Sequence, residues 1–128
     1  MPVRVVDASA LGALLFGEPQ ADEVARKPSG ASLAAPAILW FEIASICLKK
    51  IRAHPRSADK LLAAMRYIDR LPLRPVEVDH AKIVDMARKR KLTTYDASYL
   101  WLAVESGTKL VTLDKKLARS ARSLVQIL

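Results

Sequence analysis

Two short apolar runs, VRVVD at residues 3 to 7 and LVTLD at residues 110 to 114, each stop on an aspartate and are followed at once by a helical pattern. A β-branched run that ends on a helix-capping residue reads as a strand feeding directly into a helix. Strands joined through helices pair in parallel, because a parallel connection needs a long crossover whereas antiparallel neighbours need only a tight turn. These two junctions therefore set the class of fold before any other feature is considered.

The rest of the chain continues the alternation. The strand at residues 3 to 6 is followed by a helix from about Ser9 to Phe16, which Gly17 terminates, and by a short helix opened by Pro19. A turn at KPSG, residues 27 to 30, leads to a brief extended piece, and an apolar helix then runs from about Pro36 to Ala53, where His54 and Pro55 break it. Ser57 is the expected N-cap of the next helix, which ends before LPLRP, and the two prolines there frame an edge-type segment from Leu73 to Val78. Asp79 caps a helix reaching about Lys91. Thr93 opens another through Glu105, stopped by Gly107, and KLVTL follows as a strand. A short helix from about Lys115 and a last strand near Leu124 to Ile127 complete the pattern. It predicts a three-layer α/β/α sandwich around a mainly parallel sheet, built as one domain over residues 1 to 128.

Composition agrees with a packed globule: 52% of the 128 residues are apolar and only four are glycine. The single cysteine, Cys47, excludes an internal disulfide framework and suits a reducing compartment. The N-terminal stretch lacks a basic leader and already contains Asp7, unlike a cleaved signal peptide, so a cytoplasmic protein is expected. Ala31 to Leu48 is apolar for nearly a membrane-spanning length, but it holds Pro36 and Glu42. A central carboxylate costs roughly 2.5 to 3.5 kcal/mol on insertion scales, which favours a buried helix over a membrane span.

Glu42 then needs an explanation, since Ile38, Leu39, Trp40, Phe41, Ile43 and Ile46 surround it. An ionised carboxylate in such a setting requires a counter-charge, either a basic side chain or a bound cation. Asp7 and Asp114 lie at strand ends, where open parallel sheets collect functional groups, although each is equally placed to cap the helix that follows it. Asp96, in LTTYDASYLWLA, falls at the third helical position after Thr93, the acidic place of a capping-box arrangement.

Taken in order, VVDASAL, the helix carrying FEIASICLKK, TTYDASYLWLA and LVTLDKKLA resemble the PIN-domain family of metal-dependent ribonucleases, in particular VapC-type toxins of toxin–antitoxin modules. The resemblance spans essentially the whole chain. It implies a Rossmann-like sandwich with an acidic pocket for Mg2+ or Mn2+, formed by Asp7, Glu42, Asp96 and Asp114. Ser9 and Thr112 match hydroxyl positions that often lie beside those acids. Ser45 stands where family members frequently have asparagine, and it can still donate and accept a hydrogen bond in support of the site. A cognate antitoxin that plugs the pocket and a homodimer are implied as well, and the apolar helix around Trp40 and Phe41 is a candidate surface for the homodimer.

The chemistry suits those residues. Magnesium takes hard oxygen ligands and keeps several waters, so a few carboxylates plus substrate phosphate hold it. Such an ion neutralises phosphate oxygens and lowers the pKa of a coordinated water, while carboxylates packed together without a cation repel one another. Four acids suit either one ion or two.

Lysine and arginine number 21 against 13 acids, a net charge of +8, which points to a polyanionic partner. With four acids in one pocket, the remaining surface carries 21 basic residues against 9 acidic ones and can attract RNA. The run Arg88, Lys89, Arg90, Lys91 and the pair Lys115 and Lys116 are the candidate RNA contacts, set against the ordinary role of basic residues at a helix end. His54 and His80 lie in no metal-ligand spacing. Trp40 and Trp101 read as core or interface residues. A housekeeping PIN-domain RNA-processing nuclease is the alternative within the family. A phospho-acceptor signalling domain also holds magnesium on strand-end aspartates but leaves Glu42 without a use, and a non-catalytic nucleic-acid-binding module has no use for four acids.

Overall fold

The computed structural model describes residues 3–27 and 30–128, so the turn expected at 27 to 30 lies partly outside the described residues. Among them the order is β1 (Val3–Val6), α1 (Ala8–Leu15), α2 (Ala21–Arg26), β2 (Ser32–Ala35), α3 (Ile38–Ala53), α4 (Ala58–Arg66), β3 (Leu73–Pro75), α5 (His80–Arg90), α6 (Thr94–Glu105), β4 (Leu110–Val111) and α7 (Lys115–Ala121). The four strands form one all-parallel sheet in the order β3-β2-β1-β4, with Val3 opposite Ser32, Val5 opposite Leu110 and Leu33 opposite Leu73. The helices flank it, giving the expected three-layer α/β/α sandwich.

β1 is central and flanked by strands on both sides, and its Val5 and Val6 are buried, as parallel strands covered by helices must be. Leu11, Leu39, Ile43, Leu100 and Leu117 descend on the sheet from α1, α3, α6 and α7 to complete the core. Gly12 sits where α1 meets α3: a Cβ there would stand 3.1 Å from Cδ1 of Ile46. That close approach draws the helix bearing Glu42 against the one that follows Asp7. Cys47 is a buried free thiol, its Sγ 3.7 Å from the carbonyl of Leu61.

Several expected elements are shorter or begin elsewhere. α1 starts at Ala8, because Asp7 is its cap. Ser57 makes no side-chain cap. A single 3-10 turn over Pro55–Ser57 leads into α4 instead. The Leu73 to Val78 segment pairs only through Pro75, after which Val76 adds one bond to Ala35 O at 2.9 Å. β4 stops at Val111, and the hydroxyl of Thr112 just beyond it bonds to the carboxylate of Asp7. The last strand reduces to a single parallel bridge between Ile127 and Leu110, too short to form a ladder.

From β1 the chain moves towards β2 and β3 on one side, while β4 and the Ile127 bridge lie on the other. The order of the strands reverses between β1 and β4, and the carboxyl ends of these two strands are where a parallel sheet of this kind collects functional groups.

Candidate active site

Asp7 is the first residue beyond β1 and only 4% exposed. Its Oδ1 accepts from the backbone N–H of Ala10 at 3.0 Å, capping α1, and from the hydroxyl of Ser9 at 2.7 Å. The Thr112 hydroxyl donates to Oδ2. Burial pushes the Asp7 carboxyl up to about 6, the neighbouring Asp114 charge adds to this, and the bonds from Thr112, Ala10 and Ser9 work in the opposite direction. Capping and a place in an acidic site are thus served by one side chain.

The two hydroxyls also join the two strand ends. Ser9 Oγ accepts from the N–H of Leu113 at 2.9 Å, and Thr112 Oγ1 accepts from the N–H of Asp114 at 3.0 Å. Each hydroxyl therefore donates to Asp7 and accepts from the β4 loop, fixing the distance between β1 and the segment carrying Asp114. Asp114 in turn caps α7 through Leu117 N at 3.0 Å.

Glu42 lies on the first turns of α3, half-buried, and forms no salt bridge among the described residues; its partner is Tyr99, whose hydroxyl donates to Oε1 at 2.5 Å. Burial raises the Glu42 pKa, Tyr99 opposes the rise, and the charge of Asp96 adds to it. Tyr99, 1% exposed, is held well above the ordinary tyrosine range by burial and by the bond to Glu42. This residue escaped the sequence reading. The available signal was its place three residues after Asp96, on the same helical face.

Asp96 stands on the first turn of α6, where Thr93 caps its N–H at 3.1 Å. Among the described residues its carboxylate accepts no hydrogen bond. Burial and the Asp114 charge raise its pKa, partly offset by Lys116. The charge of Asp114 thus acts on both Asp7 and Asp96, and that of Asp96 acts on Glu42, which links the four acids in one series.

The donor set is all oxygen: four carboxylates and two hydroxyls, with no salt bridge to any of the four acids among the described residues. No three acidic, histidine or cysteine side chains among those residues stand close enough to clasp a bare ion alone. A hard cation that retains waters needs only one or two direct carboxylates, so this chemistry fits Mg2+ or Mn2+.

The remaining candidates fall differently. Ser45 is exposed one turn after Glu42, in the same cleft, and bonds to none of the acids. Arg88 and Lys89 pair with Asp85 at 2.7 and 2.9 Å, and Arg90 reaches the carbonyl of Ser120 at 2.7 Å, tying α5 to the end of α7. Lys91 ends α5 in the left-handed conformation, φ 55°, with its side chain exposed. Lys115 is exposed on α7. Trp40 packs on the core, whereas Phe41 beside it is 72% exposed.

Residues 4–123 match the PIN domain. The chain is 30% identical over 126 residues to a ribonuclease VapC3 of Pyrobaculum aerophilum, covering 94% of this chain and 96% of that one. It is also 30% identical over 135 residues to an exonuclease VapC9 of the same organism, covering 99% and 92%. Among solved structures, PAE2754 from Pyrobaculum aerophilum superposes with a TM-score of 0.79 at 25% identity, over 98% of this chain and 89% of that one. No helix among the described residues is long and apolar enough to cross a membrane.

Proposed function

The chain belongs to the PIN-domain family, and from that premise we propose that it is a Mg2+- or Mn2+-dependent endoribonuclease, the toxin of a VapC-type toxin–antitoxin pair. The observation that carries the proposal is the series of four carboxylates in which the pKa values of Asp7, Glu42 and Asp96 are raised by burial and by a neighbouring acid, with no salt bridge to any of them among the described residues. Such an arrangement is costly for folding and is relieved by a divalent cation. Asp7, Asp96, Glu42 and Asp114 are the residues that would hold it.

A bound ion supplies charge neutralisation at the phosphate and a more acidic water. The chain's own side chains do the rest. Asp7, with both oxygens bonded, is a fixed acceptor that costs no reorganisation during the reaction. Glu42 and Asp96, both raised by burial and by a neighbouring acid, are suited to take a proton from the attacking water. Tyr99 limits the orientations open to Glu42. The water oxygen bonds to phosphorus as its proton passes to the carboxylate, the bond to the 3′ oxygen breaks, and that oxygen takes a proton from solvent, so the products carry 5′-phosphate and 3′-hydroxyl ends.

Mapping of product ends on a circular and a linear RNA tests this reading. Cleavage of the circle with 5′-phosphate ends supports it. Products bearing a 2′,3′-cyclic phosphate overturn hydrolysis by water, and release of mononucleotides from the linear RNA alone favours an exonuclease, as one relative is named. A homodimer and a cognate antitoxin belong to the same proposal. Sedimentation of the chain alone, and with the product of a small adjacent gene, tests them.

A further inference from the structure

Along α3, Ile38, Phe41, Glu42, Ser45 and Lys49 recur at helical spacing and share a cleft with Tyr95 of α6. Glu42 lies in the wall and Tyr95 immediately precedes Asp96, so the cleft meets the acidic series at Glu42. Two aromatic rings stand open beside it: Phe41 is 72% exposed and Tyr95 56%. Lys49 is exposed and makes no salt bridge among the described residues, while the adjacent Lys50 pairs with Glu18 at 3.0 Å. It lies seven residues, about 10 Å, beyond Glu42 along the helix. The run at the end of α5, by contrast, has Arg88, Lys89 and Arg90 bonded within the chain.

Flat rings bordering a site with a lysine at phosphate reach suit an unpaired strand, whose splayed bases stack on aromatic faces while its backbone seeks positive charge. A duplex keeps its bases stacked inside and offers these rings nothing. We infer that the α3–α6 cleft holds the unpaired nucleotides beside the scissile bond, with bases on Phe41 and Tyr95 and a phosphate on Lys49. This inference rests on the nuclease reading above and names the surface that presents the substrate to it.

The test measures binding of a labelled single-stranded RNA and of the same RNA as a duplex, by anisotropy in calcium across a salt series. The wild type is compared with Phe41→Ala, Phe41→Trp, Tyr95→Ala and Lys49→Gln, each with circular dichroism and sedimentation. Phe41→Ala and Tyr95→Ala should each weaken single-strand binding roughly 5- to 100-fold and leave duplex binding unchanged, and Phe41→Trp should retain it. Lys49→Gln should reduce the slope of log K against log salt by about 0.7. Wild-type affinity and slope in every variant, while the wild type still binds and cleaves RNA, overturns the inference and leaves the nuclease reading intact. A wild type that neither binds nor cleaves RNA overturns both. Loss of a dimer in Phe41→Ala without loss of RNA affinity makes the ring pair an interface between copies and also overturns it.

Discussion

The hydroxyl of Tyr99 reaches from α6 to donate a 2.5 Å hydrogen bond to Oε1 of Glu42 on α3. It answers the question raised by a glutamate inside an apolar helix. The carboxylate is held by a neutral donor, and no basic side chain among the described residues pairs with it.

Tyr99→Phe keeps the buried ring and removes only the donor. A hydrogen bond to a charged group is worth about 1.5–3 kcal/mol, so turnover should fall roughly 10- to 100-fold while KM for RNA changes little. Steady-state kinetics check this. A fall in both kcat and melting temperature without metal would mark a structural role, and unchanged kcat would remove Tyr99 from the site.

Asp7 sets a pH dependence in metal-free buffer. Its carboxyl titrates at about 6 in the folded chain against 3.8 ordinarily, so between these values the native state binds more protons than the unfolded one. Stability from this group is present below about pH 4 and lost as pH rises through 6, a difference of about 3 kcal/mol. Asp7→Asn should flatten the decline and melt higher than the wild type at pH 8 in EDTA, while cleavage is abolished. Urea unfolding at pH 5 and pH 8 decides it, and parallel curves for the two proteins would refute the cause assigned here.

Magnesium should raise the wild-type melting temperature, because a ligand that binds only the native state adds about 2.7 kcal/mol at 100 times its Kd. Asp96→Asn and Glu42→Gln should blunt that response, and Glu42→Gln should melt higher than the wild type in EDTA, since the amide still accepts from Tyr99 without the charge. Thermal scans with and without the metal read both effects. A less stable Glu42→Gln in EDTA would mean that the carboxylate is stabilised as an anion by the chain itself.

Arg90→Gln should destabilise the fold by about 1 kcal/mol by removing the tie to Ser120, and leave RNA affinity within twofold of the wild type. Denaturation and RNA binding under one buffer separate the two roles. Weakened RNA binding with unchanged stability would return Arg90 to the RNA path.

Local patterns in the chain were enough for the class of fold. A β-branched run followed by a capping aspartate has one good local solution, and the caps expected at Asp79 and Thr93 are made by backbone N–H groups three residues on. Glu42 was conspicuous because a charge among apolar neighbours violates local consistency. What no local pattern contains is the joining of distant segments. Thr112 reads as an ordinary strand residue until β4 pairs with β1, and only then does its hydroxyl meet Asp7, 105 residues away. Tyr99 looks like core until the fold brings its hydroxyl to Glu42, 57 residues away. The end of α5 looks like a free basic patch until Asp85 and Ser120 take up its donors. Periodicity and capping act over a few residues and can be read from order alone. Hydrogen-bond partners, burial and the mutual repulsion of four acids depend on distances in space, which only the packed sheet and helices decide.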